Sequence, residues 1–543
     1  MSSTDVLVIG AGPVGLTLAC ELKRHGVGVR LIERKAERNE HANAAVVHVR
    51  TLEILCAMGA VEGFLREGYA LPGGYPRMFG RRIGFVEIGG VDSPFSRPRT
   101  IAQHVTERLL EEHFQRLGGR VERSVEAMGM EQDGKEVRVR LRHLAEGNRE
   151  EVVTAGWVAG CEGSKSITRE TAQISFEGKR YVGKEFLQVD AKVRWSHPQG
   201  FAYMFLERDH IVICLPYDDQ GFYRIICGRD DRDPESHEPP TLEEMQAILQ
   251  QHADPATELY DPTWFNHFRS GHRFAGRFRD GRAFIAGDAG HVHVPIGGQG
   301  MNYGMHDAFN LGWKLAAVIK GEAKPKLLES YEAERLPVDK ALVRLTDRAF
   351  EVLMRHSRAL GRTMKIIGPA LLGMSAVQHR FRNTLAELEV AYPASELSED
   401  HEGSGGPAAG DRAPDALVVR MPERQTAHLF DVLHGTRWTL LLFAGPNPDV
   451  PALEGLERIS AALSSLYGTR LAIHLILCGD PPVPVRENWA AHLVMDREQD
   501  AHGKYGVEAT PCLYLVRPDW YIGFRGGMEY HLHLARYLER VLT

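Results

Sequence analysis

The chain begins with the apolar run DVLVI at 5–9. From about Val14 to His25 the apolar residues recur at helical spacing, and a second apolar run, VGVRLIE, follows. Two short strands joined by a crossover helix predict a parallel βαβ unit. Thr106 to Leu117 predicts a helix, and 136–142 and 152–160 predict strands. From about 183 to 230 the period changes. VRW, FAYMFLE, HIVICLPY and GFYRIICG alternate between polar turns, the pattern of an antiparallel sheet forming a layer of its own. AFIAGDAG restores the buried-strand pattern, and a largely helical stretch runs from about Met305 to Val390. Residues 396–415, rich in Gly, Pro and acids, read as a linker. Beyond them WTLLLF, RLAIHLILC and CLYLVRP are strands separated by helix-length segments, which predicts a small α/β domain.

At 543 residues the chain exceeds the roughly 250–300 at which one core splits, so two or three domains are expected. Lys and Arg number 65 and Asp and Glu 72, a net charge of −7, which leaves no basic field for nucleic acid or an anionic membrane. Small-molecule partners are favoured instead. No apolar run is long enough to span a bilayer, and Met1 leads into DVLVIG without room for a secretory leader. The seven cysteines are dispersed, with no CxxC pair and no zinc spacing, so a reducing, cytoplasmic setting is expected.

Between the first strand and helix stand Gly10, Gly12 and Gly15, spaced GxGxxG. Gly10 suits a tight turn, Gly12 lets a pyrophosphate approach the backbone, and Gly15 lets helix and strand pack closely. The helix N-terminus then faces the phosphates. Glu33 closes the second strand 18 residues after Gly15, where a carboxylate accepts hydrogen bonds from an adenosine ribose. In GDAGHVHVPIGGQGMNYG, 287–304, Asp288 falls at the carboxyl end of a strand, where α/β sheets bind ligands. Gly297, Gly298 and Gly300 remove side chains, so a flat ring can lie on the backbone, and a helix starting near Met301 directs its N–H groups there. His291 and His293 lack a third ligand at a recognisable spacing, so no metal is expected.

These motifs, with GCEGSKS at 160–166, the extended third motif at 287–316 and SYEAERLP at 330–337, resemble the single-component FAD-dependent aromatic hydroxylases. The tail, with PAAGDRAPD, LLLF and YLVRPDW, is similar to the thioredoxin-like extension of phenol and polyketide hydroxylases. The resemblance implies an α/β fold: a Rossmann-type FAD-binding domain (1–75, 100–180 and 270–395), an antiparallel-sheet substrate domain (76–99 and 181–269), and a thioredoxin-like α/β domain (416–543). It places FAD between the first and third motifs. Gly10, Gly12, Gly15, Glu33 and Arg34 would hold the adenosine half, Gln103 the pyrophosphate–ribityl region, and Asp288 the ribityl chain. Backbone at Gly298, Gly300, Met301 and Asn302 would meet the flavin. Two positions depart from the family pattern. Glu162 stands where aspartate is usual, and Asn43 where arginine is usual, which makes Arg50 the expected substitute phosphate contact.

The activity implied is hydroxylation of a phenolic or polycyclic aromatic ring with O₂, through a flavin C4a-hydroperoxide, with NAD(P)H as transient reductant. There is no second GxGxxG, hence no expected nicotinamide domain. His293 and Pro295 are the catalytic candidates and His291 is read as structural. Tyr203, Phe205, Phe222 and Tyr223 are candidate pocket aromatics. A Baeyer–Villiger oxygenase on the same scaffold and a redox-inert FAD-binding scaffold are the alternatives; a flavin halogenase lacks its WxWxIP signature here. Cys478 and Cys512 lie in apolar runs and read as packing residues of a module for packing or oligomerisation, a homodimer being one such assembly.

Overall fold

Ser2–Ile9 pairs in parallel with Val29–Glu33 on one side and Arg149–Gly160 on the other. The structure, a computed structural model, describes residues 2–543 apart from 41–43, 79, 181–182, 208–209, 232–237, 270, 295, 355–373, 402–404, 480–484, 486–488 and 490–491. Val6, Leu7 and Val8 are fully buried, as an unbroken apolar run requires when both faces of a parallel strand are covered. The sheet continues outward through Val137–His143 and Val125–Gln132 on one side and Val121–Arg123 on the other, and Ala283–Ile285 runs parallel to the end of Arg149–Gly160. That last pairing brings the third motif beside the first.

The helix Pro13–Arg24 starts on a proline, whose missing N–H costs nothing in the first turn, and ends on Lys23 and Arg24, which suit the negative end of its dipole. It packs against the helices Gln103–Arg116 and Gly300–Ile319. Two glycines of the latter make that approach possible. A Cβ at Gly304 would lie 2.7 Å from Val14 Cγ2, and one at Gly312 would lie 2.6 Å from Glu21 Cγ.

The second sheet has the order Glu258–Phe268, Lys184–Arg194, Phe222–Asp230, His210–Pro216, Ala202–Leu206, Gly73–Met78, Arg81–Arg82, with Val86–Glu87 also paired to Gly73–Met78. Its pairings are antiparallel except that of Ala202–Leu206 with Gly73–Met78. Helix Leu242–His252, whose N-cap Thr241 accepts the Glu244 N–H, covers one face with Met245, Ile248 and Leu249.

The third sheet centres on Trp438–Phe443, which pairs in parallel with Leu471–Leu477 and antiparallel with Cys512–Val516. The segment read as a linker is tied to it. Gly410 N–H donates to Ile522 O (2.7 Å), Ala413 N–H donates to Trp520 O (2.9 Å), and Glu399–Asp400 pairs with Ile522–Gly527. Cys512 is buried, as the apolar run suggested, but Cys478 just beyond Leu471–Leu477 is half-buried. Among the described residues no helix is long and apolar enough to cross a membrane.

Candidate functional site

The three glycines of the first turn carry different constraints. Gly10 has φ +98°, and a Cβ there would lie 2.6 Å from Cys161 O. At Gly15 a Cβ would lie 1.9 Å from Gly10 O. Gly12 is the exception: among the described residues a Cβ would meet nothing within 4 Å, and no side chain caps the helix that starts after it. Protein packing therefore explains Gly10 and Gly15, whereas the bare position of Gly12 leaves room and uncapped N–H groups beside a helix N-terminus.

Glu33 ends the second strand with both oxygens oriented by backbone. Oε2 accepts from Ala11 N–H (2.9 Å) and Oε1 from Lys35 N–H (3.0 Å). Each carboxylate oxygen keeps acceptor capacity for a diol. Arg34 follows it, exposed. Gln103 begins its helix beside Ala44; its Oε1 accepts from Ala44 N–H (3.2 Å) and its Nε2 donates to Glu107 Oε1 (2.9 Å).

The third motif leaves the sheet after Ala283–Ile285 through the turn Gly287–Ala289. Asp288 is open to solvent, with no donor facing its carboxylate among the described residues, while the surrounding protein disfavours its charge and raises its pKa; His291 opposes that rise. Gly297 and Gly298 both take left-handed φ, +80° and +68°, before helix Gly300–Ile319 begins. Tyr303 N–H closes the first helical turn onto Gln299 O (2.9 Å), so the N–H groups of Gly300, Met301 and Asn302 precede the helical ladder. The Asn302 side chain is a clamp: Nδ2 donates to Val46 O and Gly298 O, each at 2.9 Å, and Oδ1 accepts from His48 N–H (2.9 Å).

His48 belongs to this assembly and was missed in the sequence. Its Nε2 lies 2.8 Å from Gly297 O, which as an acceptor fixes the proton on Nε2, and burial lowers its pKa to about 4. A lone polar residue inside the apolar run AAVVHV was the signal available.

His291, fully buried, bonds Asp307 Oδ2 at 2.9 Å. Arg335 completes the network, 2.6 Å from Asp307 Oδ1 and 2.9 Å from Asp339 Oδ1. Although burial opposes it, the two aspartates raise the His291 pKa to about 9 from an ordinary 6.5. The folded chain holds this proton more tightly than the unfolded one, so the stabilisation is complete below pH 6.5 and is lost as pH rises through 9. His291→Gln should flatten the alkaline fall in stability within that window, by up to about 1.4 kcal/mol per pH unit in denaturant titrations. An unchanged slope would assign the titration to another group. His293 faces its own Val294 O through Nδ1 (2.8 Å), and burial lowers its pKa to about 4. Its Nε2 would lie 3.3 Å from a Cβ on Gly300, which brings this imidazole to the start of the helix. Pro295 and Asn43 lie outside the described residues.

Three expectations are altered. Arg50 is committed elsewhere: helix Val49–Ala57 turns it into the protein, where it bonds Glu53 Oε2 (2.9 Å) and Asp519 O (2.8 Å) under the Tyr521 ring. Glu162 folds back over helix Ile167–Thr171, its Oε1 accepting from Thr168 N–H (2.8 Å) and the Thr168 hydroxyl (2.5 Å), and burial raises its pKa. The pocket aromatics are displaced by strand parity. Tyr203, Phe205 and Tyr223 point to the face covered by helix Leu242–His252 and are core there. The opposite face gathers Phe186, Leu206, Ile211 and Ile226 around Val294 of the third motif, with Met204, Ile213 and Phe268 beside them. Phe222 shares the parity of Ile226 but packs with Tyr217 near the strand's end. On that same face Arg224, Nε and Nη2, grips Asp190 at 2.8 and 2.7 Å and reaches Ala44 O with Nη1 (3.0 Å), tying the second sheet to the loop that leads into Val46–Val47.

Residues 3–346 match a family model described as FAD binding domain. An uncharacterized aromatic compound monooxygenase of Bacillus subtilis is 32% identical over 477 residues, 88% of this chain and 93% of the relative. Pentachlorophenol 4-monooxygenase of Sphingobium chlorophenolicum is 29% identical across 96% of this chain and 94% of its own length. An anhydrotetracycline hydroxylase of Streptomyces rimosus has a solved structure similar to this one, with a TM-score of 0.77, 30% identity and 99% of each chain covered.

Proposed function

Because the chain belongs to the FAD binding domain family, we propose that the cleft between its first two sheets hydroxylates a phenolic or polycyclic aromatic compound, using FAD, NAD(P)H and O₂. The observation that carries this reading is the junction of two helix N-termini, one after the unobstructed Gly12 and one after the Gly297–Gly298 turn, with Asp288 between strand and helix and open to a ligand. Bound there, FAD supplies the redox chemistry: it takes up reducing equivalents and activates O₂ for transfer of one oxygen atom.

The chain's own residues bind, orient and exclude water. Glu33 would accept the ribose hydroxyls, the uncapped N–H groups after Gly12 would meet the pyrophosphate, and Asp288 would accept from the ribityl chain. The N–H groups of Gly300, Met301 and Asn302 would stabilise negative charge on the ring system. Asn302 and His48 hold the Gly297–Gly298 turn in its left-handed form. The apolar wall from Phe186 to Phe268 faces Val294 and keeps water from the reacting atoms. His293, neutral near pH 7, has the state of a hydrogen-bonding partner or proton acceptor rather than a fixed cation. We place the activity in the cytoplasm, a reading supported by seven free cysteines.

Stimulation of NAD(P)H oxidation by a graded panel of monocyclic phenols, naphthols and larger fused-ring phenols tests the substrate class. A response confined to such aromatics supports the reading. Equal rates with aliphatic ketones would favour the Baeyer–Villiger alternative, and a flavin that stays oxidised with every ligand would favour the redox-inert scaffold.

A further inference from the structure

Far along the chain from the cleft's motifs, Cys478, Asp496 and His502 meet at one end of the third sheet. Cys478 follows strand Leu471–Leu477, Asp496 follows the neighbouring parallel strand Leu493–Met495, and His502 lies in helix Asp500–Lys504. His502 Nδ1 is 2.7 Å from Asp496 Oδ2 and 3.2 Å from Cys478 Sγ. One donor atom from each residue falls within 4.8 Å of the other two. The geometry is held from behind: Asp496 accepts the N–H groups of Ala501 (3.2 Å) and His502 (2.7 Å), and the His502 ring stands edge-on to Phe443 at 5.1 Å.

This trio is not a thiol relay. In a relay the carboxylate holds one imidazole nitrogen and the nucleophile engages the other. Here both reach Nδ1, which carries at most one proton. Three ligand-type atoms, a sulfur, an imidazole nitrogen and a carboxylate oxygen, thus converge on one point. His291, Asp307 and Asp339 are the other such group among the described residues, and there the Arg335 guanidinium already bridges the carboxylates. At Asp496 the ion-pair partner among the described residues is His502 itself.

We propose that Cys478, Asp496 and His502 form a site for a divalent cation of the zinc class, with a solvent molecule completing the tetrahedron at the half-buried Cys478 side. Thiolate sulfur, imidazole nitrogen and carboxylate oxygen are the donors zinc takes. Zinc–sulfur and zinc–nitrogen bonds of about 2.3 and 2.0 Å in a tetrahedron set the sulfur and nitrogen roughly 3.5 Å apart, so only a small opening of the present contact is needed. On binding, the cation displaces the Cys478 thiol proton to solvent, and the imidazole proton resides on Nε2, a buried atom with no hydrogen-bond partner among the described residues.

The test uses the full-length, FAD-loaded protein dialysed against zinc chloride, followed by metal analysis and by mass-spectrometric measurement of Cys478 alkylation with iodoacetamide. The wild type should retain one more equivalent of zinc than the Cys478→Ala/His502→Gln double variant. Zinc should also slow alkylation of wild-type Cys478 by roughly tenfold or more, while FAD content stays the same in both proteins. Equal zinc retention by a folded variant would overturn the site. So would a wild-type Cys478 alkylation rate that ignores zinc, a result independent of whether the variant folds.

Discussion

Gly12→Val should give a folded, colourless protein. The position has extended backbone, φ −74° and ψ −177°, that any residue adopts, and its Cβ would meet nothing within 4 Å among the described residues. The apoprotein should therefore keep its melting temperature. A β-branched side chain would nevertheless fill the space in which a pyrophosphate must approach the helix N-terminus, and FAD affinity should fall by at least about 100-fold, or about 2.7 kcal/mol. Gly15→Val supplies the contrast. Its Cβ would lie 1.9 Å from Gly10 O, a backbone atom that has no rotamer to yield, so the chain itself should fail to fold or lose more than about 3 kcal/mol. Flavin titration and thermal melting of the two apoproteins separate these outcomes. Normal FAD binding by Gly12→Val would remove the cofactor from this turn.

Glu334→Ala should cause the largest loss of stability among single substitutions away from the glycine turn. Glu334 is 2% exposed and joins the first domain to the C-terminal sheet. Its oxygens accept from Arg517 Nη1 and Nη2 (2.7 and 2.9 Å), Lys314 Nζ (2.7 Å), Asn310 Nδ2 (2.8 Å) and Ser395 Oγ (2.6 Å). Burial already holds Lys314 down at about 8, and Glu334 is what opposes that fall most strongly. Removing the carboxylate takes the ion-pair partner from buried Lys314, which keeps only the neutral Asn310 Oδ1 (2.8 Å), and leaves Arg517 paired with Asp519 alone, at a cost of about 3–5 kcal/mol against a total stability of about 5–15 kcal/mol. Lys314 and Asn310 lie on helix Gly300–Ile319, whose other end faces the cleft, so FAD affinity should fall as well. Glu334→Gln, which keeps part of the hydrogen bonding, should lose less. Urea midpoints within experimental error of wild type for Glu334→Ala would refute the argument.

Local pattern revealed what local pattern determines. The parallel βαβ unit, the GxGxxG turn and the acid closing the second strand follow from periodicity and spacing over about thirty residues, and the strands pair as those signals require. Parity was the weak point. Tyr203, Phe205 and Tyr223 were visible as one side of alternating strands, but alternation does not say which side faces the cleft, and helix Leu242–His252 claimed the aromatic one. Arg50 was misplaced for a different reason: its partner Asp519 lies 469 residues later, and no local signal announces that meeting. Separation along the chain also hid the bond between Glu334 and Arg517, 183 residues apart, and the meeting of Cys478 with His502 across 24 residues. A glycine- and proline-rich composition read as a linker in 396–415, yet backbone bonds to Trp520 and Ile522 fasten it to the third sheet.

Everything in the cleft converges on transfer of one atom of O₂ to an aromatic ring. The most direct measurement is turnover under ¹⁸O₂ with the aromatic compound that best stimulates NAD(P)H oxidation, reading the product by mass spectrometry alongside NAD(P)H consumed. The expected product bears a ring hydroxyl with one ¹⁸O per molecule, forms in proportion to NAD(P)H oxidised, and is lost together with that oxidation in Gly12→Val. A hydroxylated product whose oxygen comes from water, or a lactone bearing ¹⁸O within the ring, would contradict it.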